Sequence, residues 1–391
     1  MLRRLRVTFE RRECLTTGAN VSNSDVKISS ARISVFRIPT DQPEESDGTA
    51  VWDSTTVLLV ELTAEDTTGL GCSYTSEGAA YAAKEFAEKD IKGKNPFNIP
   101  SLHTALGIRA RNMGKPGAVA TAISAIDIAL WDLKARLLKL PLLDLLGRSR
   151  DWIPAYGSGG FTSYSEKQLI NQLAGWASDG IRQVKMKIGR NPNDDVSRAA
   201  AVVKALNGRA ELFVDANGAY SRKQALLKAE QFGDLGVTWF EEPVTMNDRI
   251  GLHLMVERAP AIMNIAAGEY CYVLDDVKDL IDSEAIDVLQ ADVTRCGGIS
   301  NFIKISGVCE MYHYPLSAHT SPTVHATLCC FATAAINVEY FHDHVRIEHM
   351  IFDGAITARD GMLQPDTTRP GLGLELKRAD ADKFKRAEWQ I

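Results

Sequence analysis

The chain has 391 residues, of which 45% are hydrophobic and 24% are charged, and its formal net charge at pH 7 is −6. A chain of this length exceeds what one hydrophobic core usually organises, so we expect about two domains. It contains no apolar run as long as the ~18 residues of a transmembrane helix. Its acidic balance, without an extended Lys/Arg cluster, argues against nucleic acid as a partner.

The cysteines and the N-terminal residues indicate a compartment. The seven cysteines form an odd-numbered set without a CxxC pair or a Cys/His metal-binding spacing. This pattern is typical of a reducing environment, so we expect the protein in the cytoplasm. Residues 1–25 include five Arg but no apolar segment of the kind that a secretion signal needs. We expect them to form a disordered N-terminal extension.

Residues 26–148 have the pattern of a small α+β domain. Residues 26–36 and 55–62 are rich in β-branched and apolar side chains, which predicts two strands. The polar stretch between them predicts a long loop, so the strands should form an antiparallel hairpin. Residues 79–94 are rich in Ala, Glu and Lys, and apolar residues between 123 and 137 recur at spacings of three and four, which predicts two helices.

Short apolar runs alternate with helical patterns from residue 149 to residue 365. The eight runs are IPAYG, VKMKI, LFVDAN, TWFEEP, NIAAGE, VLQAD, PLSAH and NVEYF. Their spacing fits one strand–helix unit of about 30 residues. Parallel strands with right-handed helical crossovers close most economically into a barrel. We therefore predict an α/β fold, a (β/α)₈ (TIM-like) barrel in residues 149–365 with an N-terminal α+β capping domain.

Ionisable residues end seven of the eight runs. In chain order they are Lys187, Asp215, Glu241, Glu269, Asp292, His319 and Glu339. The C-terminal ends of barrel strands share one face, so these side chains should converge on a single pocket. One charged residue at a strand end is usually a solvated loop residue. Seven ionisable residues at corresponding strand ends favour a functional site, because buried like charges repel one another unless a cation or substrate binds between them.

Three consecutive strand ends carry carboxylates that could bind a metal ion. Asp215, Glu241 and Glu269 offer oxygen ligands to a hard cation and leave coordination positions for substrate and water. Mg²⁺ fits best and Mn²⁺ is possible, whereas the absence of Cys and His from the trio argues against zinc and copper. Either glutamate of the EEP segment could be the ligand. We choose Glu241, since alternation along the strand should turn Glu242 toward the helices.

Two further strand ends supply candidate acid and base groups. Lys185 and Lys187 lie two apart on a strand and should both enter the barrel mouth. A lysine beside a divalent metal and another ammonium has its charged form disfavoured, which makes an amine base available. His319 follows the seventh run, and Asp292 ends the sixth, so the carboxylate can orient the imidazole as a general acid/base. Three other histidines cluster after the eighth run, and we expect them in a loop, where they could contact the rim of the site: His342, His344 and His349.

This set of residues could remove a proton next to a carboxylate group. The metal would neutralise the bound carboxylate and stabilise the enediolate that forms when the α-proton leaves. Lys187 and His319 would approach from opposite sides of the substrate. One would remove the proton, and the other would donate one or help to expel a β-hydroxyl.

These motifs resemble those of the enolase superfamily, and the chain is similar to its mandelate racemase subgroup. The segment AISAIDIALWDLKARLLKLPLLDLLG resembles the helix that joins cap to barrel in that family. It is followed by VKMKIG, VDANG, FEEP, AAGEY, QADVTRCGGIS and SAHT in the family's order. The resemblance covers nearly the whole chain, and few unrelated proteins would carry all of these segments in order.

The resemblance implies a role for each site residue. The catalytic residues it implies are Lys187 as base, Lys185 as its assistant, the Asp292–His319 pair for the other face, and Glu339 as the acid that hydrogen-bonds the enediolate. The metal ligands it implies are again Asp215, Glu241 and Glu269. Asn217 would contact the substrate. Glu348, in VEYFHDHVRIEH, is the alternative to Glu339.

The resemblance also implies how the two domains cooperate. The hairpin of the first domain would cap the barrel, and residues 40–52 would select the substrate. Trp52 is the one large aromatic residue in that loop, so we expect it to contact the substrate. Residues 366–391 would return to the cap.

The function we expect is Mg²⁺-dependent dehydration of an acid sugar to a 2-keto-3-deoxy acid. Acid-sugar dehydratases are numerous in the subgroup, and a polar cap loop suits a polyol. The alternative is racemisation or epimerisation of a 2-hydroxy acid by the same Lys/His pair; the eighth run lacks the DxD signature of dipeptide epimerases. A barrel kept only as a binding module would lack a base or a ligand, and all are present. We expect a homo-oligomer, between dimer and octamer.

Overall fold

The structure, a computed structural model, describes residues 25–391. The disordered extension expected at the N-terminus lies outside the described residues, apart from Asp25. No helix in the described part of the chain combines the length and apolar character needed to cross a membrane.

The first part of the described chain forms a sheet covered by helices. Its strands are β1 (Ile28–Pro39), β2 (Glu45–Ser46), β3 (Val51–Trp52), β4 (Ser54–Ala64) and β5 (Thr67–Tyr74). Its helices are α1 (Gly78–Phe86), α2 (Ile99–Arg109), α3 (Ala118–Leu137) and α4 (Leu142–Leu146). The predicted hairpin is present, since β1 and β4 pair antiparallel. Strands β2 and β3 form a small second hairpin within the long loop between them.

Sequence analysis did not predict β5, which pairs antiparallel with β4. Its segment contains Gly69 and Gly71, which weaken a strand pattern. The reason for both glycines is close packing against α3. A Cβ atom on Gly71 would lie 2.1 Å from the carbonyl oxygen of Ala125. Close contact with α3 therefore requires glycines, and these same glycines weaken the strand pattern in the sequence.

The second part of the chain is a closed barrel of eight parallel strands, as predicted. The strands are β6 (Ile153–Gly159), β7 (Gln183–Lys187), β8 (Glu211–Asp215), β9 (Trp239–Glu241), β10 (Asn264–Ala267), β11 (Val288–Ala291), β12 (Leu316–Ala318) and β13 (Ala335–Phe341). The helices are α5 (Glu166–Ser178), α6 (Asp195–Leu206), α7 (Arg222–Asp234), α8 (Arg249–Arg258), α9 (Leu274–Asp282), α10 (Ile299–Tyr312), α11 (Pro322–Phe331) and α12 (His342–Ile351). Neighbouring strands pair in chain order, and β13 pairs with β6 to close the ring. The predicted (β/α)₈ barrel with an N-terminal cap is confirmed.

The loop predicted for the histidines after the eighth strand is wrong, because they lie on α12. The buried residues of this helix recur at helical spacing. They are Asp343, His344, Ile347, Glu348 and Ile351. The apolar members are too few and too widely mixed with polar ones for the period to be recognised from the sequence.

The end of the chain packs against both parts of the molecule. It contains β14 (Phe352–Asp353), β15 (Met362–Leu363), β16 (Glu375–Leu376), α13 (Arg378–Ala381) and β17 (Lys385–Gln390). Strand β17 pairs antiparallel with β1, so the cap sheet has the order β17-β1-β4-β5. The last strand thus belongs to the same sheet as the first.

Helix α3 ties the cap to the barrel through two buried aspartates. Asp132 accepts hydrogen bonds from the backbone N–H groups of Leu70 in the cap and of Leu372 near the C-terminus, at 2.7 and 2.6 Å. Asp127 accepts from the backbone N–H and the hydroxyl of Ser300 at the start of α10, at 2.8 and 2.6 Å. Buried carboxylates with several donors are rigid anchors. The cap is therefore held at a defined position over the barrel.

An aromatic layer inside the barrel supports the residues at the strand ends. Phe213 and Trp239 stack with ring centroids 4.9 Å apart. Phe213 lies two residues before Asp215, and Trp239 lies two residues before Glu241, so each carboxylate and the ring beneath it share one face of a strand. The carboxylates consequently stand on a packed hydrophobic floor at the open end of the barrel.

Candidate active site

A cavity of about 310 Å³ lies between the C-terminal ends of the barrel strands and the cap. Its barrel wall includes Lys187, Asn217, Glu269, His319 and Glu339. Its cap wall includes Asp47, Trp52, Ser54, Thr55, Thr56, Tyr74 and Thr75. A larger cavity, of about 770 Å³, opens beside α2 and contains none of the predicted site residues, so we assign the chemistry to the smaller one.

The three predicted metal ligands come together at the base of this cavity. Asp215 and Glu241 are the last residues of β8 and β9, and Glu269 follows β10 by two residues. All three are buried, and one oxygen from each lies within 4.8 Å of the other two. Oε1 of Glu241 and Oε2 of Glu269 accept no hydrogen bond from the described residues. Buried, crowded oxygens without donors are the ligand set that a hard cation such as Mg²⁺ fits.

The balance of charge around the trio also fits a cation. The buried carboxylates around the trio are Asp215, Glu241, Glu242, Glu269, Asp292 and Glu339, and the basic side chains that pair with members of this group are Lys185, Lys187 and Arg295. Burial and the neighbouring carboxylate of Asp215 raise the pKa of Glu241 well above its usual range. Crowded carboxylates respond in this way when positive charge is lacking.

Glu242 does not turn toward the helices as alternation predicts. The strand ends at Glu241, and Glu242 has φ = 37°, so the alternation of the strand no longer applies to it. Its side chain is buried, and burial together with Glu269 raises the pKa of Glu242 well above its usual range. Glu242 therefore lies close to the carboxylate trio, although the trio itself contains Glu241.

Both predicted lysines enter the barrel mouth and bind carboxylates. Lys185 Nζ lies 2.6 Å from Oε2 of Glu241 and 2.9 Å from Oε1 of Glu339. Lys187 Nζ lies 2.5 Å from Oδ2 of Asp215. Burial alone would lower the pKa of Lys187, but Asp215 raises it above its usual value. This direction is opposite to the sequence-based expectation, because the carboxylate here is free to pair with the lysine. A cation at the trio would take up that negative charge.

The predicted pair of His319 and Asp292 is present. Nδ1 of His319 lies 2.9 Å from Oδ2 of Asp292, and Thr294 donates to the other oxygen of Asp292 through its N–H and its hydroxyl, both at 2.7 Å. Burial would raise the pKa of Asp292, but His319 and Arg295 hold it well below its usual range. With Nδ1 engaged, Nε2 faces the cavity. It lies 3.3 Å from Oε2 of Glu269.

Glu339 and its sequence-based alternative, Glu348, lie in different surroundings. Glu339 Oε2 accepts a hydrogen bond from the Thr320 N–H at 3.1 Å and lies 3.5 Å from Nε2 of His319. Glu348 Oε2 accepts from the N–H and hydroxyl of Thr323 at the start of α11, at 3.2 and 2.6 Å. The cavity is lined by Glu339 and not by Glu348.

The two predicted substrate contacts also line the cavity. Asn217 has φ = 47°, its N–H donates to Oδ1 of Asp215 at 2.8 Å, and its side-chain oxygen accepts no hydrogen bond from the described residues. Trp52 packs edge-on against Phe161 with ring centroids 5.5 Å apart, and its indole N–H donates to Oδ2 of Asp343 at 3.3 Å. The surrounding protein therefore orients the Trp52 side chain, whereas the backbone of Asn217 is fixed and its side-chain oxygen is left for another partner.

Sequence analysis missed Arg295, which joins the two halves of the site. Its guanidinium lies 3.3 Å from Oδ2 of Asp292 and 3.5 Å from Oε1 of Glu269, and it stacks over the ring of Tyr270 at 5.2 Å. Burial would raise the pKa of Glu269, but His319 and Arg295 lower it to about 2. The available signal was the position of Arg295, three residues beyond a strand-end aspartate. His344, one of the three histidines considered as rim contacts, does lie on the cavity wall, and it stacks on Tyr74 with centroids 3.4 Å apart.

Comparison with known proteins identifies the family. Residues 168–381 match the family model described as "Enolase C-terminal domain-like", and residues 33–147 match that of the "Mandelate racemase / muconate lactonizing enzyme, N-terminal domain". The chain belongs to the mandelate racemase/muconate lactonizing enzyme family of the enolase superfamily, which confirms the resemblance seen in the sequence.

Individual relatives cover most of the chain. It is 33% identical to L-talarate/galactarate dehydratase of Salmonella typhimurium over 82% of this chain and 80% of the relative. A crystal structure of that enzyme, liganded with Mg and L-lyxarohydroxamate, superimposes with a TM-score of 0.87 at 28% identity, covering 99% of this chain and 98% of the other. A mandelate racemase/muconate lactonizing enzyme-like protein from Rubrobacter xylanophilus is 46% identical, with a TM-score of 0.88, and the match covers 92% and 100%. Other relatives include cycloisomerases and an epimerase.

Proposed function

We propose that this protein is a Mg²⁺-dependent lyase that dehydrates an acid sugar to a 2-keto-3-deoxy acid. The observation that carries the proposal is that two proton-transfer groups, Lys187 and His319, end strands β7 and β12 above one carboxylate trio. These strands are separated around the barrel by two strands on one side and four on the other. A substrate held above the trio would have one group on each face.

Asp215, Glu241 and Glu269 would hold the Mg²⁺ ion. Bound there, Mg²⁺ would neutralise the substrate carboxylate and the negative charge that grows on it as the α-proton leaves. Lys185 keeps Glu241 and Glu339 in place through its 2.6 and 2.9 Å contacts. We assign Lys185 a positioning role, since it is fully buried beneath the cavity and does not line it.

Lys187 acts as the base in its amine form and takes the proton from C2 of the substrate. The electron pair of the C2–H bond moves toward the carboxylate. The pair then forms a C2=C3 double bond as the C3–O bond breaks. His319 gives the proton on Nε2 to the leaving hydroxide, which departs as water, and the resulting enol tautomerises to the 2-keto acid. The Asp292 carboxylate, held in its charged form, stabilises the imidazolium before this transfer.

Glu339 can act on the substrate only if its protonation changes. Burial would raise its pKa, but Lys185 and His319 hold it well below its usual range, so Glu339 accepts hydrogen bonds in the free protein. A substrate carboxylate arriving beside it would raise that pKa, because neighbouring carboxylates disfavour each other's charge. Glu339 could then donate a hydrogen bond to the developing enediolate.

The cap wall favours a polyol over a simple hydroxy acid. Besides the phenol of Tyr74, four hydroxyl side chains line it, namely Ser54, Thr55, Thr56 and Thr75, and those of Ser54 and Thr75 also bond neighbouring side chains. Hydroxyls both donate and accept hydrogen bonds, so they match the hydroxyls of a sugar chain. Racemisation of a 2-hydroxy acid would use the same Lys/His pair and is the second candidate. The relatives include an epimerase, although that enzyme is a hydrophobic dipeptide epimerase.

The test is a panel of monoacid and diacid sugars, incubated with the full-length protein and Mg²⁺ and assayed for 2-keto acids. We expect at least one sugar acid to give a product that requires Mg²⁺. If no sugar acid reacts while a 2-hydroxy acid loses its optical rotation, the protein is a racemase instead.

We also propose that the protein works in the cytoplasm as a homo-oligomer. The six cysteines in residues 25–391 are buried free thiols, which suits a reducing compartment. As limits of the parts, we propose 26–148 for the cap, 149–365 for the barrel and 366–391 for the returning segment. Light scattering on the purified protein measures its mass in solution; a mass equal to one chain contradicts the oligomer.

A further inference from the structure

A second group of potential metal ligands lies outside the carboxylate trio, where the cap loop meets the barrel. Asp41 and Glu45 come from the loop between β1 and β4, and His342 is the first residue of α12. One ligand atom from each lies within 4.8 Å of the other two. His342 Nε2 lies 2.8 Å from Oδ2 of Asp41. The group thus draws on two segments that are some 300 residues apart in the chain.

Glu45 is the member that points to a ligand. Its side chain is 0% exposed, and no described residue donates a hydrogen bond to either carboxylate oxygen. The neighbouring Asp343 also has a buried oxygen, Oδ1, without a donor. Leaving such a group unsatisfied costs roughly 1–3 kcal/mol, and more when it is charged. Burial, followed by the nearby carboxylates of Asp343 and Asp41, raises the pKa of Glu45 to about 10, so either a proton or a cation relieves the charge of this group.

The protein supplies little of that charge itself. Arg346 is the nearest guanidinium; it lies 3.7 Å from Oδ1 of Asp343 and donates to the carbonyl of Pro39 at 2.6 Å. His342 is at the edge of the group and pairs with Asp41. Neither side chain donates to Glu45.

The donor set indicates the kind of ion. Two carboxylates and one imidazole suit Zn²⁺ or Mn²⁺, because imidazole is a good ligand for first-row transition metals, whereas Mg²⁺ prefers oxygen alone. We propose that Asp41, Glu45 and His342 bind a divalent transition-metal ion, Zn²⁺ or Mn²⁺, that fastens the cap loop to the barrel beside the active-site cavity.

Such an ion would act on the cavity through the loop that carries its ligands. Asp47 and Trp52 lie in the same loop and form part of the cavity wall. Trp52 already contacts the barrel through its hydrogen bond to Asp343. Holding the loop against α12 would keep this wall in place before substrate arrives, and preorganisation of this kind lowers KM. The binding site does not depend on the proposed function; only the effect on KM does.

The test counts bound ions in full-length protein after metal removal and reloading with Zn²⁺ or Mn²⁺. The variants are Glu45→Gln, which disables the proposed site, Asp215→Asn, which disables the trio, and Glu44→Gln, an exposed neighbour, as matched control. We expect wild type and Glu44→Gln to hold two ions per chain, Glu45→Gln one, and Asp215→Asn one. In the Asp215→Asn protein, added Zn²⁺ or Mn²⁺ should raise Tm, and a further Glu45→Gln change should abolish that shift.

Equal ion content in wild type and Glu45→Gln would overturn the proposal. So would an Asp215→Asn protein whose metal-dependent Tm shift survives the further Glu45→Gln change, since the shift would then arise from another site. His342→Asn, at the more exposed edge of the group, provides the same comparison if Glu45→Gln fails to fold.

Discussion

A Cβ atom on Gly48 would lie 2.4 Å from the carbonyl oxygen of Ala216 and 2.6 Å from that of Ile188. Gly48 belongs to the cap loop, and the two carbonyls directly follow Asp215 and Lys187. The backbone of the loop therefore rests on the ends of the two strands that carry a metal ligand and the candidate base. Only glycine leaves room for this contact.

The Gly48→Ala variant should lose activity without loss of the barrel. The added methyl group must push the loop away from backbone that cannot yield, and overpacking of this kind costs about 1–3 kcal/mol. The displaced loop would no longer hold the ends of β7 and β8 in place, so we expect kcat/KM to fall roughly tenfold, which corresponds to about 1.4 kcal/mol of activation free energy. Steady-state kinetics and Tm should be measured beside Gly107→Ala in α2, where nothing lies within 4 Å. Unchanged kcat/KM in Gly48→Ala would mean that the loop does not need this position.

Variants at Lys187 and His319 should separate the two proton transfers. His319→Asn keeps size and some hydrogen bonding, and we expect turnover to fall about 10²- to 10⁴-fold. Since Lys187 removes the α-proton in our assignment, His319→Asn should still exchange that proton with solvent deuterium, whereas Lys187→Ala should lose both exchange and product.

Proton exchange followed by NMR in D₂O is the measurement, with His253→Asn on the outer helix α8 as control. If exchange is instead lost in His319→Asn and kept in Lys187→Ala, His319 is the base and Lys187 the acid. If turnover falls by less than tenfold in both variants, Lys187 and His319 are not catalytic residues.

Removal of divalent ions should abolish activity and lower stability. The trio brings three buried carboxylates together, and an ion that binds only the folded protein stabilises it by about 2.7 kcal/mol at 100 times its Kd. We expect chelation to lower Tm and stop turnover, and Mg²⁺ to restore both. Asp215→Asn should show a much smaller Tm response to Mg²⁺. Full activity after verified metal removal would contradict the metal assignment.

Trp52 should affect substrate binding more than folding. The Trp52→Phe change keeps a ring against Phe161 but removes the hydrogen bond to the Asp343 carboxylate, a type worth about 1.5–3 kcal/mol. We expect KM to rise by roughly tenfold, with a small change in Tm, because Trp52 is only half buried. Trp152→Phe, at a residue that is 55% exposed, is the control. A variant that loses its fold would assign Trp52 to the hydrophobic core.

Glu348 should make the folded protein sensitive to pH. Burial raises its pKa to about 7 from the usual 4.5, although Thr323 opposes the shift. A raised pKa means that the folded state holds the proton more tightly, so this stabilisation is complete below about pH 4.5 and is lost as the pH rises through 7.

Glu348→Gln stays neutral and can still accept the hydrogen bonds from Thr323. It should therefore match wild type near about pH 5 and exceed its stability near about pH 8 by up to ~3 kcal/mol. Urea unfolding at both pH values checks this, with the exposed Glu310→Gln as control. The same stability difference at both pH values would show that Glu348 does not titrate in this range.

The sequence by itself determined the barrel and most of the strand-end residues. Barrel strands are short, buried and evenly spaced, so their period survives in the order of residues, and each strand's last inward position is marked by a polar residue after an apolar run. Lys185 and Lys187 could be assigned to one face because alternation along a strand is local geometry. The three carboxylates followed in the same way.

Only the tertiary structure decided the contacts that depend on distant segments. Strand β5 could not be predicted, because Gly69 and Gly71 weaken its pattern. Both glycines are required by close packing against α3, which follows some fifty residues later. The pKa of Lys187 depends on Asp215 in the next strand, and Glu242 leaves the alternation because the strand ends before it. The grouping of Asp41 and Glu45 with His342 joins a cap loop to a barrel helix. The periodicity of a sequence reflects local structure, so it cannot predict a contact that arises from the packing of two domains.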